Sequence, residues 1–150
     1  MSRIAIGADH AGFRLKQLCA DRLNAIGHDV ADHGTYSEER VDYPDYAVKV
    51  ARAVAAAEAD LGVLVCGSGV GVCIAANKIA GIRAATVHDF TSARLAREHN
   101  DANIVCLGAR FVGEQVALDA LDAFLNAEFE GGRHIERVAK ITALDAELAP

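Results

Sequence analysis

The stretch "LGVLVCGSGVGVCIAANK", residues 61–78, determines the fold. Its first six residues, "LGVLVC", contain no polar side chain, which is typical of a strand covered by helices on both faces. Glycines then follow at 67, 69 and 71, and a helical pattern begins after them. A buried strand that runs through a glycine-rich turn into a helix is the repeating unit of parallel α/β proteins.

The same strand-then-helix unit recurs along the whole chain. Further strands are predicted at "RIAIGA" (3–8), "HDVADHG" (28–34), "RAATVH" (83–88) and "ANIVCLGA" (102–109). Helical patterns cover residues 13–27, 42–60, 70–81, 89–100, 112–132 and 134–149. Regular alternation of this kind predicts an α/β fold, a five-stranded parallel sheet with helices on both sides and a C-terminal helix.

Size and composition narrow the function. The 150 residues predict one domain over 1–150, and the net charge of −6 argues against a nucleic-acid partner. The N-terminal apolar run is too short for a signal peptide or a membrane span, so we expect a cytoplasmic protein with no membrane partner. The cysteines (Cys19, Cys66, Cys73 and Cys106) form no CxxC pair and no zinc pattern, and free thiols are expected.

Reactive side chains follow three of the predicted strands. Asp9 and His10 come after the first strand, Cys66 and its loop after the third, and Arg110 after the fifth. Ligands of open parallel sheets bind at the carboxyl ends of the strands, so these groups form a candidate site. Plainer readings stay open: Asp9 as a helix cap, and His10 as a surface imidazole. A phosphoacceptor aspartate of the response-regulator kind is another reading of Asp9, but such sites also follow the third strand, where this chain has cysteine.

The loop Gly67–Gly71 can turn backbone N–H groups toward an anion at the start of the following helix. The alternative is an ordinary tight turn between strand and helix. Cys66 directly precedes this loop, where a thiol can act as a nucleophile or as a base toward a carbon acid. An inert buried thiol is the other interpretation, and it is the one expected for Cys19, Cys73 and Cys106.

Two polar groups further along are ambiguous from the residues alone. His99 and Asn100 suit the C-terminal end of a helix, where they satisfy carbonyls, and this reading is favoured. Arg133 and Arg137 lie four residues apart and share a helix face. That face is either a phosphate clamp or a solvated charged surface.

Taken together, the motifs resemble the ribose-5-phosphate isomerase type B family, with its galactose-6-phosphate and allose-6-phosphate isomerase relatives. The resemblance extends from Ile4 to about Arg137. The matching segments, in the expected order, are "GADHAGFRLK", "DYPDYA", "VCGSGVGVCIAANK", "GIRAA", "SARLAREHNDAN", "GAR" and "EGGRH…R".

The resemblance implies a Rossmann-like three-layer α/β/α sandwich and an aldose–ketose isomerase that needs no cofactor and no metal. It implies a sugar-phosphate substrate and a homodimer or dimer of dimers with shared active sites. It makes Cys66 the base that moves a proton between C1 and C2, and His99 the group that opens the sugar ring. One branch of the family carries a glutamate where this chain has Val72, so the thiol branch is the match.

The same resemblance assigns the substrate contacts. The sugar site is expected to be formed by Asp9, His10, Tyr43, Gly67, Ser68, Gly69, Val70, Gly71 and Asn100. The phosphate is expected to contact His10, Arg110, Arg133 and Arg137. Ser68 also supplies a hydroxyl to the catalytic set, at a position where many thiol-type relatives have threonine, so the length or stereochemistry of the sugar stays open.

Several functions remain to be separated. Ribose 5-phosphate and ribulose 5-phosphate are the expected pair, with allose 6-phosphate, galactose 6-phosphate and erythrulose 4-phosphate as alternatives. A nucleotide- or flavin-binding module would need its glycine loop after the first strand and would leave Cys66 without a role. A non-catalytic subunit is disfavoured because Cys66, His99 and both C-terminal arginines occur in one chain.

The position of His99 raises a geometric difficulty. A helix from Asp89 to Glu98 rises about 15 Å along its axis. Its C-terminal end should therefore lie near the amino edge of the sheet, far from Cys66. We expect His99 and Asn100 to enter the site from a partner subunit.

Overall fold

The computed structural model describes residues 1–148 and contains a five-stranded, all-parallel sheet of order β2-β1-β3-β5-β4. The strands are β1 (Arg3–Ala8), β2 (Asp29–Asp32), β3 (Leu61–Cys66), β4 (Ala84–Thr86) and β5 (Ile104–Gly108). This confirms the predicted fold class. The order reverses between β1 and β3, which is the position where such sheets bind ligands at the carboxyl ends of their strands.

Seven helices connect or follow these strands within residues 1–148. They are α1 (Phe13–Ala25), α2 (Tyr43–Ala55), α3 (Val70–Ala76), α4 (Phe90–Asn100), α5 (Glu114–Asn126), α6 (His134–Ala143) and α7 (Asp145–Leu148). Helices α1, α4 and α5 pack on one face of the sheet, and α2 and α3 on the other. Over that range, every helix falls short of the length and apolar character needed to cross a lipid bilayer.

The central strand β3 explains the apolar run that opens the sequence pattern. Val63 and Val65 point into the core beneath α1, α4 and α5, whereas Leu64 and Cys66 point into the core beneath α2 and α3. These four residues are all buried. Because both faces of the strand are covered, no polar alternation is seen.

Three helices that precede the C-terminal one end five or more residues earlier than the sequence pattern predicts, and one of them is α2, which is expected over 42–60 and ends at Ala55. The helix expected over 70–81 stops at Ala76, because the amide of Asn77 pairs with the backbone of Ala84 through bonds of 3.0 and 2.8 Å. The helix expected over 112–132 is only α5, and the chain beyond it bonds elsewhere: the Glu130 N–H donates to the Glu98 carbonyl at 3.0 Å.

The predicted C-terminal helix over 134–149 is divided in the structure. α6 ends at Ala143, and the short α7 follows after Leu144. Residue 149 of the predicted helix lies outside the described residues.

A buried lysine joins α1 to the segment after β2. Lys16 is fully buried, and its Nζ lies 2.6 Å from both carboxylate oxygens of Asp32 and 2.8 Å from the Thr35 carbonyl oxygen. Asp32 also accepts a hydrogen bond of 2.8 Å from the Gly34 N–H. A buried ammonium is tolerated only when its hydrogen bonds are satisfied, so this pair fixes the loop beside β1.

The substitution Asp32→Asn tests this pair. It leaves the buried Lys16 ammonium without a countercharge, so we expect a loss of about 2–3 kcal/mol in the free energy of unfolding, measured with urea. The control is Asp29→Asn on the same strand, where the exposed side chain should cost less than about 0.5 kcal/mol. Equal losses in the two variants would contradict the assigned role of the pair.

Candidate active site

A cavity of about 320 Å³ opens at the carboxyl edge of the sheet, beside the ends of β1, β3 and β5. Most of the predicted site residues meet there. The lining residues are Asp9, His10, Ala11, Tyr43, Cys66, Gly67, Ser68, Gly71, Arg110 and Phe111. Ala11 and Phe111 carry no signal in the sequence pattern and are seen only once the strand ends are brought together.

Cys66 is the last residue of β3 and lines the cavity although only 4% of its surface is exposed. Its Sγ accepts a hydrogen bond of 3.1 Å from the Gly69 N–H. The sulfur therefore lies at the start of α3 and faces a backbone donor, which is the setting in which cysteines act as nucleophiles or bases.

The loop after Cys66 is held from three sides. Gly69 has a φ of +75°, and a Cβ there would lie 2.9 Å from the Leu107 carbonyl carbon, so only glycine fits. Thr86 Oγ1 donates to the Gly69 carbonyl at 2.8 Å. The Val70 N–H donates to Ser68 Oγ at 3.2 Å, which leaves the proton of the Ser68 hydroxyl available to a substrate oxygen.

The polar groups after β1 are also anchored. Asp9 is buried, and its Oδ1 accepts a 3.0 Å hydrogen bond from the Gly12 N–H. Gly12 is itself the N-cap of α1, which has no side-chain cap, so Asp9 closes the turn before the helix and does not cap it. The Nδ1 atom of His10 lies 3.2 Å from both the N and the O atom of Val41. Both residues line the cavity and are held by hydrogen bonds to the backbone, which is compatible with a binding role.

Tyr43 and Arg110 also line the cavity beside Cys66. The ring of Tyr43 lies against Gly71, where an added Cβ would approach it to 2.7 Å. The guanidinium of Arg110 lies over Gly67, and the Arg110 N–H donates to the Gly67 carbonyl at 2.9 Å. Within residues 1–148, Arg110 makes no salt bridge, so its positive charge is available to an anion in the cavity.

Two other predicted residues, Gly69 and Val70, belong to the loop after Cys66 but do not line the cavity. The rest lie elsewhere in the chain. His99 at the end of α4 stacks on His134 at the start of α6, with ring centroids 4.3 Å apart and planes 14° apart. Arg133 adjoins this stack, and its Nε lies 3.4 Å from the Nε2 atom of His134. Asn100 lines a different groove, of about 550 Å³, near the start of β4.

The two groups do not meet within one chain. Of the described residues that line the cavity beside Cys66, none belongs to the set His99, Asn100, Arg133 and Arg137. Sequence reasoning did not assign a role to His134 or Glu130, although His134 lies inside the motif "EGGRH".

The stacked histidines and Glu130 are close enough to suggest a metal ligand set. Glu130 Oε2 lies 3.9 Å from His99 Nε2 and 3.7 Å from His134 Nε2. An imidazole binds a metal in the plane of its own ring, however, and two nearly parallel rings cannot direct their lone pairs at one ion. The adjacent guanidinium of Arg133 also opposes a cation. The arrangement does not fit a metal centre.

The other cysteines differ from one another. All four thiols are free, and Cys19 and Cys106 are fully buried, as expected for inert thiols. Burial raises the pKa of Cys19 to about 12. Cys73 departs from the expectation because it is only partly buried, and hydrogen bonding, chiefly from Cys106, lowers its pKa to about 6. It lies outside the residues that line the cavity.

A thiol, a hydroxyl and an arginine meet in one small cavity of an α/β sheet, which is an arrangement expected of an enzyme that acts on a small anionic substrate. Comparison with known proteins makes the class specific. The sequence model of the Ribose/Galactose Isomerase family matches residues 4–141. The chain belongs to this family of aldose–ketose isomerases.

Three relatives illustrate the similarity. The chain is 52% identical over 145 residues to ribose-5-phosphate isomerase B of Escherichia coli, covering 97% of each chain. It superposes on ribose-5-phosphate isomerase B of Clostridium thermocellum with a TM-score of 0.96, at 51% identity, covering 98% and 99% of the two chains. The enzyme from Mycoplasma genitalium, crystallised with bound ribulose 5-phosphate, gives a TM-score of 0.92 at 44% identity, covering 97% of both chains.

A substitution of Gly108, at the end of β5, tests whether contact with this strand holds the Gly67–Gly71 loop in place. A Cβ at Gly108 would lie 2.5 Å from the Ser68 carbonyl oxygen. We therefore expect Gly108→Ala to displace the Ser68 peptide by roughly 1 Å in a crystal structure and to destabilise the protein by about 1–3 kcal/mol.

Gly7→Ala is the matched control for that substitution. Its Cβ would meet the Cγ2 of Val50, a side-chain atom, at 2.8 Å. This variant should lose stability while leaving Ser68 in place. An unmoved Ser68 in Gly108→Ala would show that the loop is not held by this contact.

Proposed function

We propose that the protein interconverts ribose 5-phosphate and ribulose 5-phosphate without a cofactor, with Cys66 as the base. The observation that carries the proposal is the cavity in which the Cys66 sulfur, the Ser68 hydroxyl and the free charge of Arg110 converge. Nearly full-length similarity to ribose-5-phosphate isomerases supports the same substrate pair.

The chemistry requires one proton to move between adjacent carbons. The Cys66 thiolate removes the C2 proton of the open-chain aldose, and the electron pair of that bond forms an enediolate as the C1 carbonyl oxygen gains negative charge. The proton on O2 moves to O1, and the thiol returns its proton to C1, which yields the ketose. The Ser68 hydroxyl donates to the oxygen on which charge develops, and its place in a rigid loop avoids reorganisation during the reaction.

The phosphate provides binding energy away from the reacting carbons. Arg110 and His10 face the cavity of their own chain. Arg133 and Arg137 lie with the His99 group, so on this proposal they clamp the phosphate of a site in the partner subunit. Binding a non-reacting phosphate tightly helps to orient the reacting carbons.

A second copy of the chain completes the site. Helix α4 has 11 residues and is about 16 Å long, so it carries His99 and Asn100 away from the cavity. Exposed apolar side chains near the start of β4, among them Ile141, Leu144 and Leu148, offer a surface that a partner subunit would cover. We propose a homodimer as the smallest active unit, which can assemble further into a dimer of dimers.

His99 has a defined task in this arrangement. Ribose 5-phosphate is mostly a five-membered ring, and the ring must open before Cys66 can reach the proton at C2. An imidazole that exchanges protons with the ring oxygen and the anomeric hydroxyl performs this step. We also propose that the enzyme acts in the cytoplasm, where phosphorylated sugars of central metabolism are made.

The substrate range is tested with aldose and ketose phosphates of four, five and six carbons in a coupled isomerase assay. We expect the highest kcat/KM for ribose 5-phosphate. Ser68 leaves more room than threonine, so Ser68→Thr should lower the relative activity toward six-carbon sugars. A preference of the unmodified protein for allose 6-phosphate, galactose 6-phosphate or a four-carbon phosphate would overturn the substrate assignment.

The role of Cys66 is best tested in a Cys73→Ser background, because the pKa of Cys73 near 6 makes that thiol reactive as well. Cys66→Ala should lower kcat by roughly 10²–10⁴-fold. Iodoacetamide should inactivate the Cys73→Ser protein, and ribose 5-phosphate should protect it. Full activity of Cys66→Ala would exclude the thiol as the base.

The shared site is tested by mixing two inactive chains. Cys66→Ala and His99→Ala chains form hybrid dimers in which one of the two sites retains both groups. After full exchange of subunits, an equal mixture should recover about a quarter of the activity of the unmodified protein. Proven exchange without recovery would place His99 and Cys66 in the same chain's site.

A further inference from the structure

His134 is a buried polar group to which the proposed reaction assigns no role. Only 5% of its surface is exposed, whereas a third of the His99 side chain is exposed. It lies outside the lining of the cavity beside Cys66. It touches the proposed machinery at two points: its ring stacks on the His99 ring at 4.3 Å, and its Nε2 lies 3.4 Å from Arg133 Nε. A role for His134 therefore has to act through these two side chains, and the larger contact is the stack on His99.

The surroundings keep His134 neutral. Burial lowers its pKa, and the neighbouring His99, Arg133 and Arg137 lower it further, against an opposing effect of Glu130. A neutral Nε2 can accept the hydrogen bond from Arg133 Nε at 3.4 Å. That bond puts the proton of His134 on Nδ1. The carboxylate of Glu130 is then left to the positive charge on His99 whenever that ring is protonated.

The backbone also fixes the stack. The Glu130 N–H bonds to the Glu98 carbonyl at 3.0 Å, which joins the segment before α6 to the last turn of α4. The His134 N–H donates to the Gly131 carbonyl at 3.0 Å. Both rings of the stack are therefore carried by segments that are tied to each other, and His134 can restrict rotation of the more exposed ring.

We infer that His134 is a positioning residue for His99: its ring, stacked on that of His99, holds the ring-opening imidazole in the plane that suits the substrate. This inference rests on the proposed function. A misplacement of about 1 Å in such a group can cost 10²-fold in rate. Loss of the His134 ring should therefore slow ring opening and leave proton transfer unaffected, because only the ring form of the substrate depends on His99.

Two measurements separate ring opening from proton transfer. Conversion of ribose 5-phosphate requires both steps. Exchange of the C1 proton of ribulose 5-phosphate with D₂O, followed by NMR, requires only the thiol, since this ketose has its O5 blocked by phosphate and stays open. His134→Ala should slow the conversion of ribose 5-phosphate roughly tenfold or more while changing the exchange rate less than about twofold.

His134→Phe supplies the rescue test. A phenyl ring keeps the stack but cannot accept a hydrogen bond, and the exposed Arg133 can be solvated instead. We expect conversion by His134→Phe to stay within about threefold of the unmodified protein. His28→Ala and His28→Phe are the matched controls, because His28 lies before β2 and contacts the N-terminal segment through Ser2. Both controls should leave the two rates unchanged.

Each outcome is decisive. Parallel losses of conversion and exchange in His134→Ala would mean a merely structural role and would overturn the inference. Unchanged conversion of ribose 5-phosphate by His134→Ala would also overturn the inference, and so would a His134→Phe variant that is as slow as His134→Ala. If His134→Ala fails to fold, conversion by His134→Phe more than about threefold slower than by the unmodified protein would overturn the inference on its own. Failure of the unmodified protein to catalyse either process would instead refute the proposed function.

Discussion

The contact between the Gly67–Gly71 loop and the end of β5 is the constraint on which the site depends. At Gly69 and at Gly108 a side chain would collide with backbone atoms of the neighbouring segment. The loop can therefore lie flat on the strand end, where the Gly69 N–H reaches the Cys66 sulfur. The same close approach holds Ser68 in the lining of the cavity that Cys66 also lines, so one packing contact positions two of the residues proposed for catalysis.

Strand order adds the other groups. Because β1 and β5 both pair with β3, the residues after three separate strands reach one edge of the sheet. Asp9 and Arg110, which are 101 positions apart in the chain, thus line the same cavity. The sheet topology brings together Cys66, the proposed base, and Arg110, the side chain proposed to bind the phosphate. Each is also held by its own local hydrogen bonds.

Sequence reasoning predicted the features that depend on local pattern. The apolar run of β3, the alternation of strands and helices and the strand–loop–helix unit at Cys66 all follow from residue type and spacing. It overestimated helices whose ends are decided by distant partners, as with Asn77, whose amide bonds to β4. It also did not identify the stack on His99, because the contact between α4 and α6 leaves no periodic signal. The reactive environment of Cys73 was missed for the same reason, since Cys106 approaches it from another element.

Helix α4 acts as a spacer of fixed length. It is stiff, it starts from a capped end at Asp89, and it delivers His99 to the side of the molecule opposite the thiol. On the proposed arrangement, a folded single chain is inactive, and activity depends on the fraction of chains that are associated as dimers. Below the dissociation constant of the dimer, activity would then fall with the square of protein concentration, so the amount of enzyme in a cell would regulate its specific activity by mass action.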